Sequence, residues 1–462
     1  MTTIKNRIIL CFMAMTAVFL CFIAIGTPFA HAQGGKGMTI IRDTEIENTL
    51  REWSTPIFKA AGLNPEAINI ILVQSDQMNA FVAGGSNIFI YTGLINKTDN
   101  PGELIGVIAH ETGHIAGGHL IRSRDAMERA SYESIVGMLV GVGAALASGE
   151  AGAVPAIAIG GGSMAQRRLL AHSRVQESSA DQAALTFLEQ AKINPTGMLT
   201  FMEKLKAEIY MPSNQQSEYI QTHPLVENRI EALETRDEAS PYKNQPYPAS
   251  WVEAHARMKA KLAAFINPGS IPWIYSDRDM SIPARYARAI AAYRNNQVDS
   301  ALSQIDDLLK AEPQNPYFLE LKGQMLVDFG RGSAGLPFYR KAIDLLPKAP
   351  LLRIALGHAL IESAPASSSP DASLREAIDQ LERAAQDEPN STQLHRFLAI
   401  AYGKLGDENM AKVHLAEEAL LQRRFDYAKE QAEGVLKHAE KNSKAWLRAK
   451  DVLSFVENNE KG

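Results

Sequence analysis

Residues 103–114 read Glu-Leu-Ile-Gly-Val-Ile-Ala-His-Glu-Thr-Gly-His, an apolar run that ends in two histidines four positions apart with a glutamate directly after the first. Glu103 to Ala109 is compatible with a helix, and on a helix His110 and His114 project from one face, where two imidazoles can hold a single Zn²⁺. Glu111 stands between them as the general base for an attacking water. Zinc lowers the pKa of water toward about 7 and polarises a carbonyl, so the pattern points to hydrolysis of an amide. At the His and Glu frequency of this chain the motif arises by chance in about one or two of every hundred chains of its length.

A catalytic zinc needs a third protein ligand and an open fourth position. The metzincin arrangement would place a histidine six residues after His114, but Leu120 stands there. His119 is five residues on, turned away around the helix, and reads as structural. A glutamate on a second helix is the alternative. Glu177 opens an apolar-periodic stretch through Ala183, Ala184, Phe187 and Leu188, and Asp181, one turn later, is placed to accept the second ring N–H of a ligating histidine. Without the upstream motif this pair would read as an exposed helix start.

Around this motif the pattern is α+β and mostly α. Asp43 to Ala61 reads as an amphipathic helix, and Ile68 to Gln74 and Ile88 to Thr92 as short strands, with Gly84, Gly85 and Ser86 as a turn. A small edge β-sheet is expected, in which Asn87, Ile88, Phe89, Ile90 and Tyr91 form an exposed edge strand that pairs with an extended substrate through its backbone. Pro248 to Ile266 reads as a further helix. Ile135 to Ser163 carries a single charged residue, Glu150, and splits into two pieces too short to span a bilayer. It reads either as a hairpin against a membrane surface or over the active site, or as a pair of core helices.

The second half of the chain has a period. Pro313 and Pro347 are 34 residues apart, as are Gly323 and Gly357. Pro389 lies 42 beyond Pro347, and the loop-like Ser363 to Asp371 accounts for the excess. Ala289 and Ala399 occupy the small-residue position in the neighbouring periods. Helix-turn-helix units of this length resemble tetratricopeptide repeats, about four to five of them over Ile282 to Glu457, and imply a solenoid whose concave face binds a peptide or protein.

Residues 1–32 read as a signal peptide: Lys5 and Arg7, an apolar run from Ile8 to Ile25, then Ala30-His31-Ala32 with cleavage after Ala32. The competing reading is an uncleaved anchor. Cys11 and Cys21 both lie in this segment, so no disulfide braces the exported chain. The organisation is then 1–32 signal peptide, 33–270 peptidase domain, 271–282 linker and 283–462 repeat domain. Of the 462 residues 46% are hydrophobic and 21% charged, as in a folded globular protein. Lys+Arg number 47 against Asp+Glu 52, for a net charge of -5 without a basic block, which argues against nucleic acid as a partner. No Gly-rich phosphate loop is present, and with both cysteines in the signal segment a redox role has no support.

His110-Glu111-Thr112-Gly113-His114, followed by Glu177-x-x-Ala180-Asp181, resembles the gluzincin peptidases that include HtpX and the CAAX prenyl protease. Met78 to Ile95 is similar to the segment these enzymes carry before the zinc helix, and Thr222-His223-Pro224-Leu225 with Arg229-Ile230 to a motif of their soluble branch. The resemblance implies a gluzincin metalloprotease fold with one Zn²⁺ per chain on His110, His114 and Glu177. By it, Glu111 is the base, Asp181 and Arg229 are supporting residues, and His223 is a regulatory fourth ligand that occupies the water site at rest. Ser179 departs from the pattern where a second acidic residue often stands. With the export signal and the repeats, the resemblance implies a periplasmic endopeptidase, peripheral at the membrane, that degrades misfolded or misassembled outer-membrane and envelope proteins and has a chaperone role in β-barrel assembly. The outer-membrane β-barrel assembly machinery is then the candidate partner of the repeat surface. The reading from another class is a repeat-based chaperone or scaffold whose zinc site His223 closes, with little proteolysis. Glu111→Gln separates the two, because a scaffold tolerates it.

Overall fold

The computed structural model describes residues 39–120, 122, 173–212 and 215–460; elements are numbered among these. The signal-peptide segment 1–32 and the apolar segment 135–163 lie outside them. Helix α1 (Thr44–Ala60) starts where Asp43 caps it by accepting from the Ile46 N–H, and buries Ile46, Leu50, Trp53 and Ile57 along one face. Four strands, β1 (Ile40–Ile41), β2 (Asn69–Val73), β3 (Ala80–Ala83) and β4 (Asn87–Tyr91), form one sheet in the order β1-β2-β4-β3. β4 pairs in parallel with β2, Ile71 opposite Phe89, and antiparallel with β3, Phe81 opposite Phe89. The hairpin between β3 and β4 turns at Gly84 and Gly85, whose φ of +59° and +94° suit glycine.

This topology corrects one expectation. Asn87 to Tyr91 is not an edge: its backbone is paired on both sides, and among the described residues the edge strand beside it is β3. The sequence pattern missed β3, because Ala80 to Ala83 is short and lacks the β-branched run that marks β4.

A short helix α2 (Thr92–Lys97) leads into α3 (Pro101–Ala116), which carries the histidine motif. Pro101 sits in its first turn, Asn100 accepts from the Glu103 N–H, and the Glu103 carboxylate accepts from the Asp99 N–H, a reciprocal cap that sets the start of the helix. Every residue from Pro101 to Gly113 is buried. α4 (173–190) and α5 (Thr196–Lys206) flank it. α6 (Glu218–Thr222), α7 (Glu227–Ala239) and α8 (Ala249–Ile266) come next along the chain.

α8 joins the two halves of the fold. Its Met258 and Leu262 belong to the core shared by the sheet and α1 to α7, whereas Ala260 and Ala264 belong to the next core with Tyr286, Ile290 and Phe318. The segment expected as a linker holds a helical turn, α9 (Ile271–Ile274), whose Ile271 is buried in that second core. Ion pairs add to the junction: Lys261 contacts Asp43 and Glu45, and Arg42 reaches Glu388.

Ten helices complete the described chain as five antiparallel pairs: α10 (Ile282–Arg294) and α11 (Val298–Ala311), α12 (Pro316–Asp328) and α13 (Gly332–Leu345), α14 (Pro350–Ser363) and α15 (Pro370–Ala384), α16 (Thr392–Lys404) and α17 (Glu408–Leu421), α18 (Phe425–His438) and α19 (Lys444–Glu460). The small-residue markers have a steric cause. A Cβ on Gly323 would lie 2.9 Å from the Tyr339 ring, and one on Gly357 2.6 Å from Leu381, so the two helices of each pair meet there without a side chain between them. The residues that break the period, 363–371, run from the last residue of α14 through its connection into the first turn of α15. Among the described residues no helix is long and apolar enough to cross a membrane.

Candidate metal centre

α3 and α4 approach closely enough for backbone contact: a Cβ on Gly113 would lie 2.7 Å from the Ala180 carbonyl oxygen. The glycine of the histidine motif and the alanine before Asp181 therefore serve one purpose, letting the helix with His110 and His114 meet the helix with Glu177. Four donors converge. His110 Nε2 lies 3.1 Å from His114 Nε2, 3.3 Å from Glu177 Oε2 and 3.3 Å from His223 Nδ1. His114 Nε2 is 3.4 Å from Glu177 Oε1, and His223 Nδ1 is 3.3 Å from Glu177 Oε2.

Hydrogen bonding alone does not account for this packing. His110 Nε2 has three neighbours at contact distance, yet a ring nitrogen carries at most one proton. The distances do fit a common centre, because a tetrahedral zinc with bonds of about 2.0–2.1 Å keeps its ligand atoms about 3.3–3.4 Å apart. Ring orientation agrees: His110 turns Nδ1 toward Asp181 Oδ1, 2.9 Å away though not aligned as a hydrogen bond, and presents Nε2 to the other donors. Asp181 is itself held by Arg229, through Nε at 2.7 Å and Nη2 at 2.9 Å, and Arg229 Nη1 also lies 3.3 Å from Glu177 Oε2.

The cluster is charged in a particular sense. Burial pushes His110 down, but hydrogen bonds to Asp181 and Glu177 outweigh it and hold the ring up at about 10. Burial pushes Glu177 up, yet its contacts with His110, His114 and His223 keep it well below the ordinary carboxylate range. His114, with less support, is lowered by burial. The donor set thus favours a positive charge at its centre.

Glu111 is fully buried, and among the described residues neither of its carboxylate oxygens has a hydrogen-bond partner; His223 Nε2 lies 3.5 Å away. A buried, unsatisfied carboxylate is costly, and its position beside the donor cluster suits a group that meets water or substrate. It lines a cavity of about 210 Å³ together with His114, Glu177, His223 and Phe81 and Val82 of the edge strand β3.

Residues 41–237 match the model of peptidase family M48 and residues 286–350 that of the tetratricopeptide repeat. The chain carries an M48 metallopeptidase domain. The beta-barrel assembly-enhancing protease of Escherichia coli (strain K12) is 26% identical over 370 residues, covering 78% of this chain and 72% of that one. Metalloprotease LoiP of the same organism is 29% identical over 193 residues, 41% of this chain and 71% of its own. Mitochondrial metalloendopeptidase OMA1 of Schizosaccharomyces pombe is 25% identical over 178 residues, 38% of this chain and 49% of its own. The chain is a metalloendopeptidase with tetratricopeptide repeats, and the five helix pairs continue the repeat beyond the residues its model matches.

In the M48 domain the predicted residues His110, His114, Glu177, His223, Asp181 and Arg229 all come together, with Glu111 beside them. Asn87 to Tyr91 stay one strand away from the cavity, which β3 lines. Two contacts escaped the sequence reading. His119, expected to be purely structural, lies with Nδ1 3.1 Å from His114 Nδ1 and lines the same cavity. Tyr219 stacks on the His223 ring at 4.7 Å; both fall on the turn of chain that begins with α6, and the spacing of four was the available signal.

Proposed function

We propose that this chain is an exported zinc endopeptidase of the periplasm that cleaves misfolded or misassembled outer-membrane and envelope proteins and is held latent by His223. The observation that carries the reading is the position of His223 Nδ1, 3.3 Å from both His110 Nε2 and Glu177 Oε2, at the fourth corner of the donor set. His110, His114 and Glu177 would hold the ion, and zinc in such a set supplies the Lewis acidity that lets water attack an amide near neutral pH. Asp181 faces His110 Nδ1 at 2.9 Å and favours the ring turn that presents Nε2, and Arg229 holds Asp181. The Glu111 carboxylate takes the proton of the attacking water and delivers it to the leaving amine nitrogen.

Substrate binding is read from the edge of the sheet. Among the described residues β3 has no partner strand on its outer side, beside the cavity, so an extended, unfolded segment can add to it through main-chain hydrogen bonds with little demand on sequence. His223 stands in the way. Its Nε2 donates to the Ala80 carbonyl at 3.2 Å, and a shell of three imidazoles and a carboxylate is closed, as in structural zinc sites. Turnover then requires His223 to leave, by a substrate or partner that moves α6 and the turn after it. The repeats would bring the enzyme to its substrates, with the β-barrel assembly machinery as the protein partner, a reading supported by the name of the Escherichia coli relative. The apolar segment 135–163 is the candidate for membrane-surface contact.

The test is degradation of an unfolded outer-membrane β-barrel protein by the purified exported chain, with His223→Ala and Glu111→Gln beside it and zinc content measured in each. Faster cleavage by His223→Ala with an inactive Glu111→Gln supports latency. If all three are inert with zinc bound, the chaperone or scaffold reading replaces it.

A further inference from the structure

We propose a second divalent-metal site in the repeat domain, formed by His395 on α16 and His414 and Glu417 on α17, separate from the peptidase centre and independent of how that centre is read. His414 and Glu417 are three residues apart and share a face of α17, and His395 meets them from the neighbouring helix. Their donor atoms form a nearly equilateral triangle. His395 Nδ1 is 3.1 Å from His414 Nδ1 and 3.1 Å from Glu417 Oε2, and His414 Nδ1 is 3.2 Å from the same oxygen. Both histidines are buried, and the glutamate is partly exposed.

Proton counting shows why this triangle wants a cation. His395 Nε2 lies 3.0 Å from the Pro389 carbonyl oxygen, which only accepts, so the ring proton sits there and Nδ1 presents a lone pair. That lone pair faces the Glu417 carboxylate. A second proton on His395 would relieve that contact, but His414 Nε2 faces the Arg448 guanidinium, which only donates, and this puts the His414 proton on Nδ1. The two Nδ1 atoms would then both carry hydrogen at 3.1 Å. No assignment of single protons satisfies all three sides. A metal ion bound to all three donors does, and the sides lie close to the ligand separation of about 3.3 Å in a tetrahedral zinc shell.

The surroundings have the features of a ligand set. Pro389 orients His395 through its other nitrogen, and Arg448 braces Glu417 through Nε at 2.8 Å and Nη2 at 2.5 Å, as Arg229 braces Asp181 in the peptidase half. Tyr402 stacks on His414 and fixes its plane. Metal binding makes one demand: the His414 proton moves to Nε2, and Arg448 Nη1 gives up that nitrogen, the longest of its contacts at 3.3 Å. Two imidazoles and a carboxylate suit zinc and its first-row neighbours better than calcium or magnesium.

The experiment uses the full exported chain, stripped of metal and dialysed against Zn²⁺, with bound metal measured by mass spectrometry and Co²⁺ absorption as a second probe of the ligand set. The wild type should bind about two equivalents, His110→Ala with His114→Ala about one, and that double variant with His414→Ala about none. Zn²⁺ should raise the melting temperature of the double variant, and circular dichroism confirms that each variant is folded. Should His414→Ala fail to fold, Glu417→Gln in the same background reads the same loss. One equivalent on the wild type and none on the folded double variant overturns the site. So does an equivalent that survives both His414→Ala and Glu417→Gln, which would place the metal elsewhere.

Discussion

The peptidase half gathers three histidines beside a glutamate and the repeat half two, with donor atoms spaced alike, from 3.1 to 3.4 Å in the first and from 3.1 to 3.2 Å in the second. They differ in what surrounds the donors. The first set opens onto a cavity of about 210 Å³, with an unsatisfied carboxylate, Glu111, at its side and the free edge of β3 nearby. The second lies between two repeat helices, its glutamate held twice by Arg448, and no further carboxylate among the described residues is left without a hydrogen-bond partner there. Holding an ion needs only converging donors. Hydrolysis also needs a base kept free of partners and a place for the substrate backbone, and only the first region has both.

The most severe test of that contrast is at Glu111. Glu111→Gln should lower kcat by about 1,000-fold while leaving zinc content and melting temperature near wild type, since general-base catalysis is worth about 10²–10⁴. A loss of metal in parallel would mean that Glu111 is structural. Next is the brace. Arg229→Met leaves Asp181 and Glu177 buried without their cation and should cost about 3 kcal/mol of stability in urea unfolding of the metal-free protein. An unchanged midpoint would show that the histidines carry the charge balance by themselves.

Glycine substitutions compare the two halves directly. Gly113→Ala meets the Ala180 backbone, which cannot yield, and should cost about 2–3 kcal/mol and lower the zinc content. Gly323→Ala meets the Tyr339 ring, which can shift, and should cost about 1–2 kcal/mol with zinc unaffected. Equal effects on zinc would mean that the halves do not act as separate packing units.

The mildest effect is at the junction. Glu320 lines the cavity of about 350 Å³ between the halves, where burial raises its carboxyl to about 7 against the pull of Lys261. A raised carboxyl means the folded protein holds a proton that the unfolded chain releases near pH 4.3, so its contribution is complete below about pH 4 and is lost as pH rises through 7. Glu320→Gln, which keeps an acceptor for Thr44 Oγ1, should therefore stabilise by about 1 kcal/mol at pH 8 and not at pH 4. Thermal melts at the two pH values check it, and an equal difference at both would remove the titration from the account.

Much of this was legible along the chain. The spacing of four puts His110 and His114 on one helix face by helical geometry alone, and the 34-residue interval marked the paired helices because each pair must repeat its closest approach at the same place. The amphipathic helix from Asp43 and the turn at Gly84 and Gly85 were likewise local matters. Long-range contacts were not legible in this way. Glu177 could be named only because the histidine motif called for a third ligand, and Arg229 stood out only by resemblance, because a carboxylate at a helix start and an arginine in a helix are ordinary surface residues until another element meets them.

Periodicity and local hydrogen bonding, both written along the chain, were therefore enough to establish a metal-binding helix, a repeat array and their order. Folding in three dimensions was needed to settle which strand is the edge, that His223 reaches the corner of the donor set, and that His395, on one repeat helix, meets His414 and Glu417 on the next. Strand order and the meeting of side chains on separate elements depend on which surfaces pack, and packing is a property of pairs of elements that no single stretch of sequence contains.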